Sequence, residues 1–370
     1  MTPLARTDRS ALGRWWWTLD RPSLGALLFL SLVGVVMAFA ASPPVAERLG
    51  YDQLHFVRKF LVFLVPAWLL LVATSLAGPR TVLRLAVLMA TVALPLVAAT
   101  LLVGAEIKGA RRWLSLAGVS LQPSEFAKPA VAVVAGWLLA RRPGLSGLPA
   151  AALPVAVLVT LLVLQPDLGT AAVVVAAFAV QLFAAGLGWF WIGLLAAGGG
   201  LGLAGAYLAF DHVRRRIDAF LDPAAEPYQV EAALAAIVSG GLFGRGPGAG
   251  EVKYYLPEAH ADFVFATMAE EFGILLCLVV LGIFAFVVLR TLSRLLEAHC
   301  RFVLLAGTGL LAQFGLQAVV NMGVNLDLLP TKGMTLPFVS YGGSSLLALS
   351  LGVGMMLALS RRDVRLEDVP

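Results

Sequence analysis

The chain has 370 residues, 60% of them hydrophobic and 13% charged, with 27 Lys and Arg against 22 Asp and Glu for a formal charge of +5. A mean hydropathy of +0.89 excludes a soluble globular domain, and a positive surplus of this size is ordinary for short loops anchored against anionic lipid, so no nucleic acid is needed to explain it. Most of the chain must have the lipid bilayer as its solvent, where backbone groups are satisfied internally, and the expected fold class is therefore all-α and polytopic.

Ten apolar runs are expected to span, at 23–41, 60–78, 83–103, 123–140, 149–165, 168–186, 188–210, 264–289, 302–322 and 337–360. The first ends in "AFA", like a cleavable signal, but its long leader and the many equally apolar runs behind it read as a retained span. The chain then divides into an N-terminal tail at 1–22, a single ten-helix membrane domain at 23–360 and a C-terminal tail at 361–370. With the N-terminus inside, Lys and Arg number fourteen inside against twelve outside. Long translocated loops escape the positive-inside rule, and without the 53-residue segment 211–263 the count is fourteen against seven. Both termini are expected on the cytoplasmic side. Cys277 and Cys300 are the only cysteines and imply neither a disulfide framework nor a thiolate metal site.

The polar interruptions carry the chemistry. In "KGARRWLSL", Lys108, Arg111 and Arg112 flank Trp113, which suits a phosphate-bearing lipid headgroup as well as a plain interfacial belt. In "LQPSEFAKPA", which begins Leu121-Gln122, Glu125 and Lys128 stand three apart near the start of a span and so share one helix face. Intramembrane ionisable groups are functional candidates by default, the alternative being a self-neutralising pair that fixes packing. In "DHVRRRIDAFLDP", Arg214, Arg215 and Arg216 need a local reason on the outer side: an anion, or pairing with Asp218 and Asp222.

Further on, "YQVEAALAAIVSGG" has Val230, Ala233, Leu234 and Ile237 at helical spacing and predicts a short helix at the membrane surface, ended by the Gly-rich "GGLFGRGPGAG". Glu258, His260 and Asp262 follow at every second position in "YYLPEAHADFVFA", lining one face if extended and diverging if the next helix starts early. Asp262 precedes an apolar run, at a water-to-lipid boundary where partial burial tunes a general base, or else serves as a helix N-terminal residue. In "LDLLPTKGMTLPFVSYGGSS", the Pro and Gly residues predict irregular backbone, tolerable only inside protein or along a cavity, to which Lys332, Ser340, Tyr341 and Ser344 add polar groups.

The ordered set "GARRWL", "QPSEFAK", "QPDLGTA", "RRRIDAFLDP", "SGGLFGRG", "LPEAHADFVFATMAEEFG" and "LPTKGMTLPFVSYGGSS" resembles the SEDS family of shape, elongation, division and sporulation proteins over residues 20–360. "LPEAH" and the last motif look like its division branch, FtsW, more than its elongation branch, RodA. Ala261 departs from the family's usual Thr, removing a hydroxyl beside the base. The resemblance implies ten helices with both ends cytoplasmic, and an inner-membrane peptidoglycan glycosyltransferase, at the septum, that polymerises lipid II into β-1,4 glycan with inversion. It places the catalytic aspartate on Asp262. It places the family's intramembrane Glu and Lys on Glu125 and Lys128 and its motif Arg on Arg112; with these, the substrate-binding candidates are Arg111, Gln122, His260, Arg214, Arg215, Arg216, Lys332, Ser340 and Tyr341. Expected partners are lipid II, the undecaprenyl-pyrophosphate-linked glycan, a class B penicillin-binding protein (an FtsI-like transpeptidase) and other divisome membrane proteins. A divalent cation, Mg or Mn, would suit the leaving pyrophosphate, although no metal-ligand spacing marks a site. Two readings from other classes stay open here: a lipid II flippase and a non-catalytic division scaffold.

Overall fold

The computed structural model describes residues 10–107, 110–116, 119–142, 144–209, 211, 213–214, 217–218, 228–330 and 333–362. Among them, ten helices of 17 residues or more fall on the ten apolar runs. These are α2 (Arg21–Arg48), α3 (His55–Ser75), α4 (Pro79–Val103), α5 (Pro123–Arg141), α6 (Leu148–Leu164), α7 (Leu168–Ala184), α8 (Trp189–Ala209), α10 (Val264–Leu296), α11 (Arg301–Asn325) and α12 (Gly343–Leu359), with the shorter α1 (Ala11–Thr18) and α9 (Tyr228–Gly240) between and before them. By length and composition α2, α3, α4, α10 and α11 can each cross a membrane, while α6, α7 and α12 are equally apolar but shorter.

α5 and α11 form the centre, α5 packing on α4, α6, α7, α11 and α12, and α11 also on α7, α10 and α12. One apolar cluster joins α2, α3, α10, α11 and α12; a second joins α4 to α7 with Leu305 of α11. α8 packs mainly on α7 and presents Trp189, Phe190, Leu194, Leu201 and Leu208 outward.

Four local features depart from the sequence expectation. Part of the expected N-terminal tail is helix: Ser10 caps α1 by accepting from Gly13 N, and Trp15 Nε1 donates to Ser75 Oγ at 2.9 Å. The buried Asp20 carboxylate then receives Arg290 Nε at 2.8 Å and lies 3.3 Å from Arg294 Nη2. The basic stretch after α4 is a small antiparallel meander, β1 (Ala105–Ile107), β2 (Ala110–Leu116) and β3 (Val119–Leu121), because Gly104 leaves the helix with extended backbone and the chain must return to start α5. The tenth run becomes regular only at Gly343, six residues later than expected, behind the irregular backbone that its Pro and Gly residues predicted.

The fourth departure is the largest. α10 is two helices joined at Gly273, whose φ of 81° and ψ of 171° lie outside the helical region. Cys277 Sγ sits 3.9 Å from the Phe265 carbonyl oxygen, whereas twelve residues of straight helix would separate them by about 18 Å. The piece from Val264 to Phe272 is thus a half-helix folded back against the rest. The Gly-rich stretch after α9 fills the break: Gly241 O accepts from Ile274 N at 3.0 Å, and Arg245 N and Gly246 N donate to Glu270 O and Glu271 O. Any side chain at Gly273 would collide with Leu242 O, 2.3 Å from an ideal Cβ, so backbone geometry and space both require glycine there.

Candidate active site

Asp262 sits on the turn that enters the half-helix. The stretch 258–262 is neither extended nor helical. Glu258 adopts φ 61°, and its carbonyl accepts from Ala261 N at 2.9 Å and Asp262 N at 3.1 Å. The turn half-buries Glu258 and Asp262 and turns His260 inward. The imidazole lies against Phe56 and Tyr341, with ring centroids 4.5 and 5.1 Å away. Burial in this aromatic cage pushes its pKa down to about 4, opposed only in part by Glu258. Its buried Nδ1 has no hydrogen-bond partner among the described residues. At neutral pH His260 is therefore an uncharged wall behind the turn.

The segment 333–341 is laced onto this turn. Tyr341 N donates to His260 O at 2.9 Å and Ser340 Oγ to Ala261 O at 2.6 Å, while Leu336 N donates to Ser340 Oγ. Gly333 faces the Asp262 carboxylate so closely that an ideal Cβ there would lie 3.2 Å from Oδ2. Ser340 and Tyr341, expected as cavity groups, act here through the backbone of the turn. Lys332 lies outside the described residues, as do Arg215 and Arg216.

Deeper in the bundle, Glu125 and Lys128 are buried and paired at 2.9 Å, on one face of α5 as their spacing required. They close a polar ring: Lys128 Nζ donates to Gln317 Oε1 at 3.2 Å, and Gln317 Nε2 to Thr335 O at 3.0 Å. Thr335 Oγ1 and Ser345 Oγ are 2.8 Å apart, and Ser345 Oγ donates to Glu125 Oε2 at 3.0 Å. A small cavity lined by Glu125, Lys128, Gln313 and Gln317 borders the ring. Since Thr335 belongs to the segment packed on Asp262, the intramembrane pair and the aspartate share a support.

The cations expected to meet phosphate have partners within the chain. Arg112 Nε donates to Gln165 O at 3.1 Å and its Nη2 to Pro166 O, with Asp167 3.9 Å from Nη1, so the fork holds the corner between α6 and α7. Arg111 is at the exposed rim, 3.4 Å from Glu106. Gln122 is half-buried and donates to Ser124 Oγ. Arg214 is exposed and lies 3.7 Å from Asp218, the internal pairing that the sequence left open beside an anion.

Two groups went unread in the sequence. On α11, Gln313, Gln317, Asn321 and Asn325 recur every fourth residue and are all buried; that period was the available signal. The other is a second buried ionic centre. Glu270 accepts the backbone N–H groups of Glu251, Val252 and Lys253 at 2.7, 2.7 and 2.9 Å, and Lys253 Nζ donates to Glu271 and to Ala40 O. Among the described residues no three His, Cys, Asp or Glu side chains converge on a point where they could hold a metal ion.

The family described as cell cycle protein, of FtsW, RodA and SpoVE, matches residues 22–364. A probable peptidoglycan glycosyltransferase FtsW of Caulobacter vibrioides is 43% identical over 363 residues, covering 97% of this chain and 93% of that protein. The corresponding protein of Escherichia coli O6:H1 is 34% identical, covering 94% and 87%. Among solved structures, one described as structural coordination of polymerization and crosslinking by a peptidoglycan synthase complex superposes with a TM-score of 0.78 at 30% identity, covering 93% of this chain and 98% of that one. The rod shape determining protein RodA of Thermus thermophilus gives 0.69 at 30% identity, with 93% and 97% covered.

Proposed function

The chain belongs to the FtsW, RodA and SpoVE family of cell cycle proteins, and from that premise we propose how its polar end performs peptidoglycan glycosyl transfer, with Asp262 as the general base. The protein is a multi-pass membrane glycosyltransferase of the FtsW type. Its substrate in this reading is lipid II. The 4-hydroxyl of the acceptor GlcNAc attacks C1 of the MurNAc at the reducing end of the growing strand, the C1–O bond to undecaprenyl pyrophosphate breaks, and the α linkage becomes β-1,4.

One carboxylate suffices for this chemistry. The base removes the proton from the attacking hydroxyl, and pyrophosphate, a weak base, leaves without needing a proton. The observation that carries the reading is the setting of Asp262: half-buried, on a turn fixed from two sides, beside a glycine whose lack of a side chain lets the backbone come close to the carboxylate. Negative charge developing on the leaving group calls for cations at the same end. Lys128 supports that role through the ring that reaches Thr335, and Arg112 through the donors its carbonyl partners leave over. A divalent cation entering with the pyrophosphate would take most of its ligands from phosphate oxygens and water.

A class B penicillin-binding protein is the proposed partner, in keeping with the peptidoglycan synthase complex one of whose chains this fold matches, and the septum the proposed location. The test is polymerisation of purified lipid II by the protein reconstituted with its cognate transpeptidase. Wild type makes glycan, and Asp262→Asn, with fold and partner binding intact, loses about 100-fold or more. Undiminished polymer from Asp262→Asn would refute the base assignment and turn attention to headgroup transport through the Glu125–Lys128 ring.

A further inference from the structure

The base is only as good as the backbone that aims it, and that backbone is held by side chains of a different helix. Asn321 Nδ2 donates to Asp262 O at 2.9 Å and to Met334 O at 2.6 Å. Asn325 Nδ2 donates to Asp262 O at 3.0 Å and to Asn321 O at 2.8 Å, while its Oδ1 accepts from Ala266 N at 3.0 Å. Both amides are buried to 2% exposure or less.

The Ala266 bond has a further meaning. Ala266 lies in the first turn of α10, whose N-cap residue Phe263 supplies no side-chain acceptor. The first N–H groups of a helix are orphans unless something accepts from them. Asn325 reaches across from α11 and takes that role, locking the start of the half-helix and the preceding carbonyl with one amide. Asn321, one turn earlier on the same face, ties the same carbonyl to Met334, in the segment that carries Gly333 opposite the carboxylate. Gln317, a further turn back, holds Thr335 and Lys128.

We infer that Asn321 and Asn325 are positioning residues for the general base. They act through the Asp262 peptide carbonyl, fixing the direction from which the carboxylate meets the acceptor hydroxyl and the width of the gap to Gly333. The inference rests on the reading of Asp262 as the base. A displacement of about 1 Å at a reacting group costs on the order of 100-fold in rate, with little effect on binding made elsewhere on a long substrate.

Asn321→Asp and Asn325→Asp preserve shape but turn donors into acceptors that oppose the Asp262 and Met334 carbonyls; Asn325→Asp keeps the acceptor for Ala266 N. Each is assayed in the reconstituted complex with lipid II, alongside wild type, Asp262→Asn and Gly333→Ala. The expected result is that turnover per folded enzyme falls about 10-fold or more, with KM for lipid II held within about 2-fold, and that the acid limb of the pH–rate profile is displaced. A merely structural role would lower the melting temperature and the yield of folded protein but leave turnover per folded enzyme and the pH profile unchanged, which overturns the inference. Gly333→Ala leaves both amides intact at an exposed position and crowds the carboxylate from the other side, so a several-fold loss of turnover is expected. If neither aspartate variant folds, Gly333→Ala decides, and wild-type turnover there overturns the positioning. Wild type without polymer would sink the base assignment itself, whereas an active wild type with normal turnover in the variants would sink only the positioning.

Discussion

Among the described residues there are two buried Lys–Glu centres, and they are satisfied in opposite ways. Lys253 and Glu271 are 3% and 0% exposed, and with Glu270 they end almost wholly on backbone: four N–H groups of the 248–253 stretch and the Ala40 carbonyl. Glu125 and Lys128 end on side chains, Gln317 and Ser345, that belong to two other helices and border a cavity. A charge whose partners are backbone fixes a chain path and can do little else. A charge whose partners are rotatable side chains beside a cavity can exchange them for a ligand or water. The first centre is therefore the anchor that straps the Gly-rich loop over the half-helix, and the second is the one able to serve the proposed catalytic site.

Removing each lysine in turn is the strongest way to break that comparison. Lys253→Met leaves the Glu271 carboxylate buried with one backbone N–H, and stranding a buried charge costs about 3–5 kcal/mol, a large share of the total for most proteins. Lys128→Met leaves Glu125 with the Ser345 hydroxyl and a cavity that admits water, so thermal melts in detergent should show a smaller loss. Polymerisation should follow the reverse order per folded molecule, falling about 10-fold or more in Lys128→Met. Equal destabilisation by the two substitutions would erase the distinction.

That contrast also marks what the sequence could disclose. The ten long helices were legible because runs of about twenty apolar residues have few alternatives in lipid. Glu125 and Lys128 were legible because a span rarely tolerates such residues. The half-helix was not, since the apolar run from Val264 to Leu289 is interrupted only by Glu270 and Glu271 and a lone Gly273 is an ordinary helix residue until Leu242 and Gly244 are seen to occupy the space of its side chain. The meander at 105–121 was hidden behind its arginines, which drew attention as headgroup ligands. Lys253 was invisible as a partner of Glu271 because their contact depends on the fold-back. The amides of α11 carry no charge to advertise them, although their four-residue period was there to be read.

His260 sharpens the comparison from the other side, as a titratable group whose burial outweighs the one charge that opposes it, Glu258. Its folded pKa of about 4 lies below the ordinary histidine value of 6.5, so the fold favours the neutral form. Its contribution to stability is full above pH 6.5 and is lost as pH falls towards 4. At about pH 5.5 the loss amounts to about 1.5 kcal/mol. Melting temperatures between about pH 7.5 and pH 5.5 should fall more steeply in wild type than in His260→Phe, which cannot be protonated and keeps the aromatic contacts with Phe56 and Tyr341. Parallel slopes would mean that the imidazole keeps access to water.

The smallest effect is expected at Arg214, and it separates an arginine that holds structure from one that does not. Arg112 directs its fork at two backbone carbonyls, so its loss would leave Gln165 O and Pro166 O short of donors at the corner between α6 and α7. Arg214 lies 3.7 Å from Asp218 with both side chains more than half exposed, and Asp218 has the Tyr207 hydroxyl as a second partner at 2.8 Å. An exposed pair of this kind contributes about 0–1 kcal/mol, and salt screens it further. Arg214→Ala should therefore leave the melting temperature unchanged within error. Any effect must then appear in KM for lipid II, where a rise that fades as salt is added would make Arg214 a steering cation for the anionic substrate. Unchanged KM at low salt would confine the residue to its pairing with Asp218.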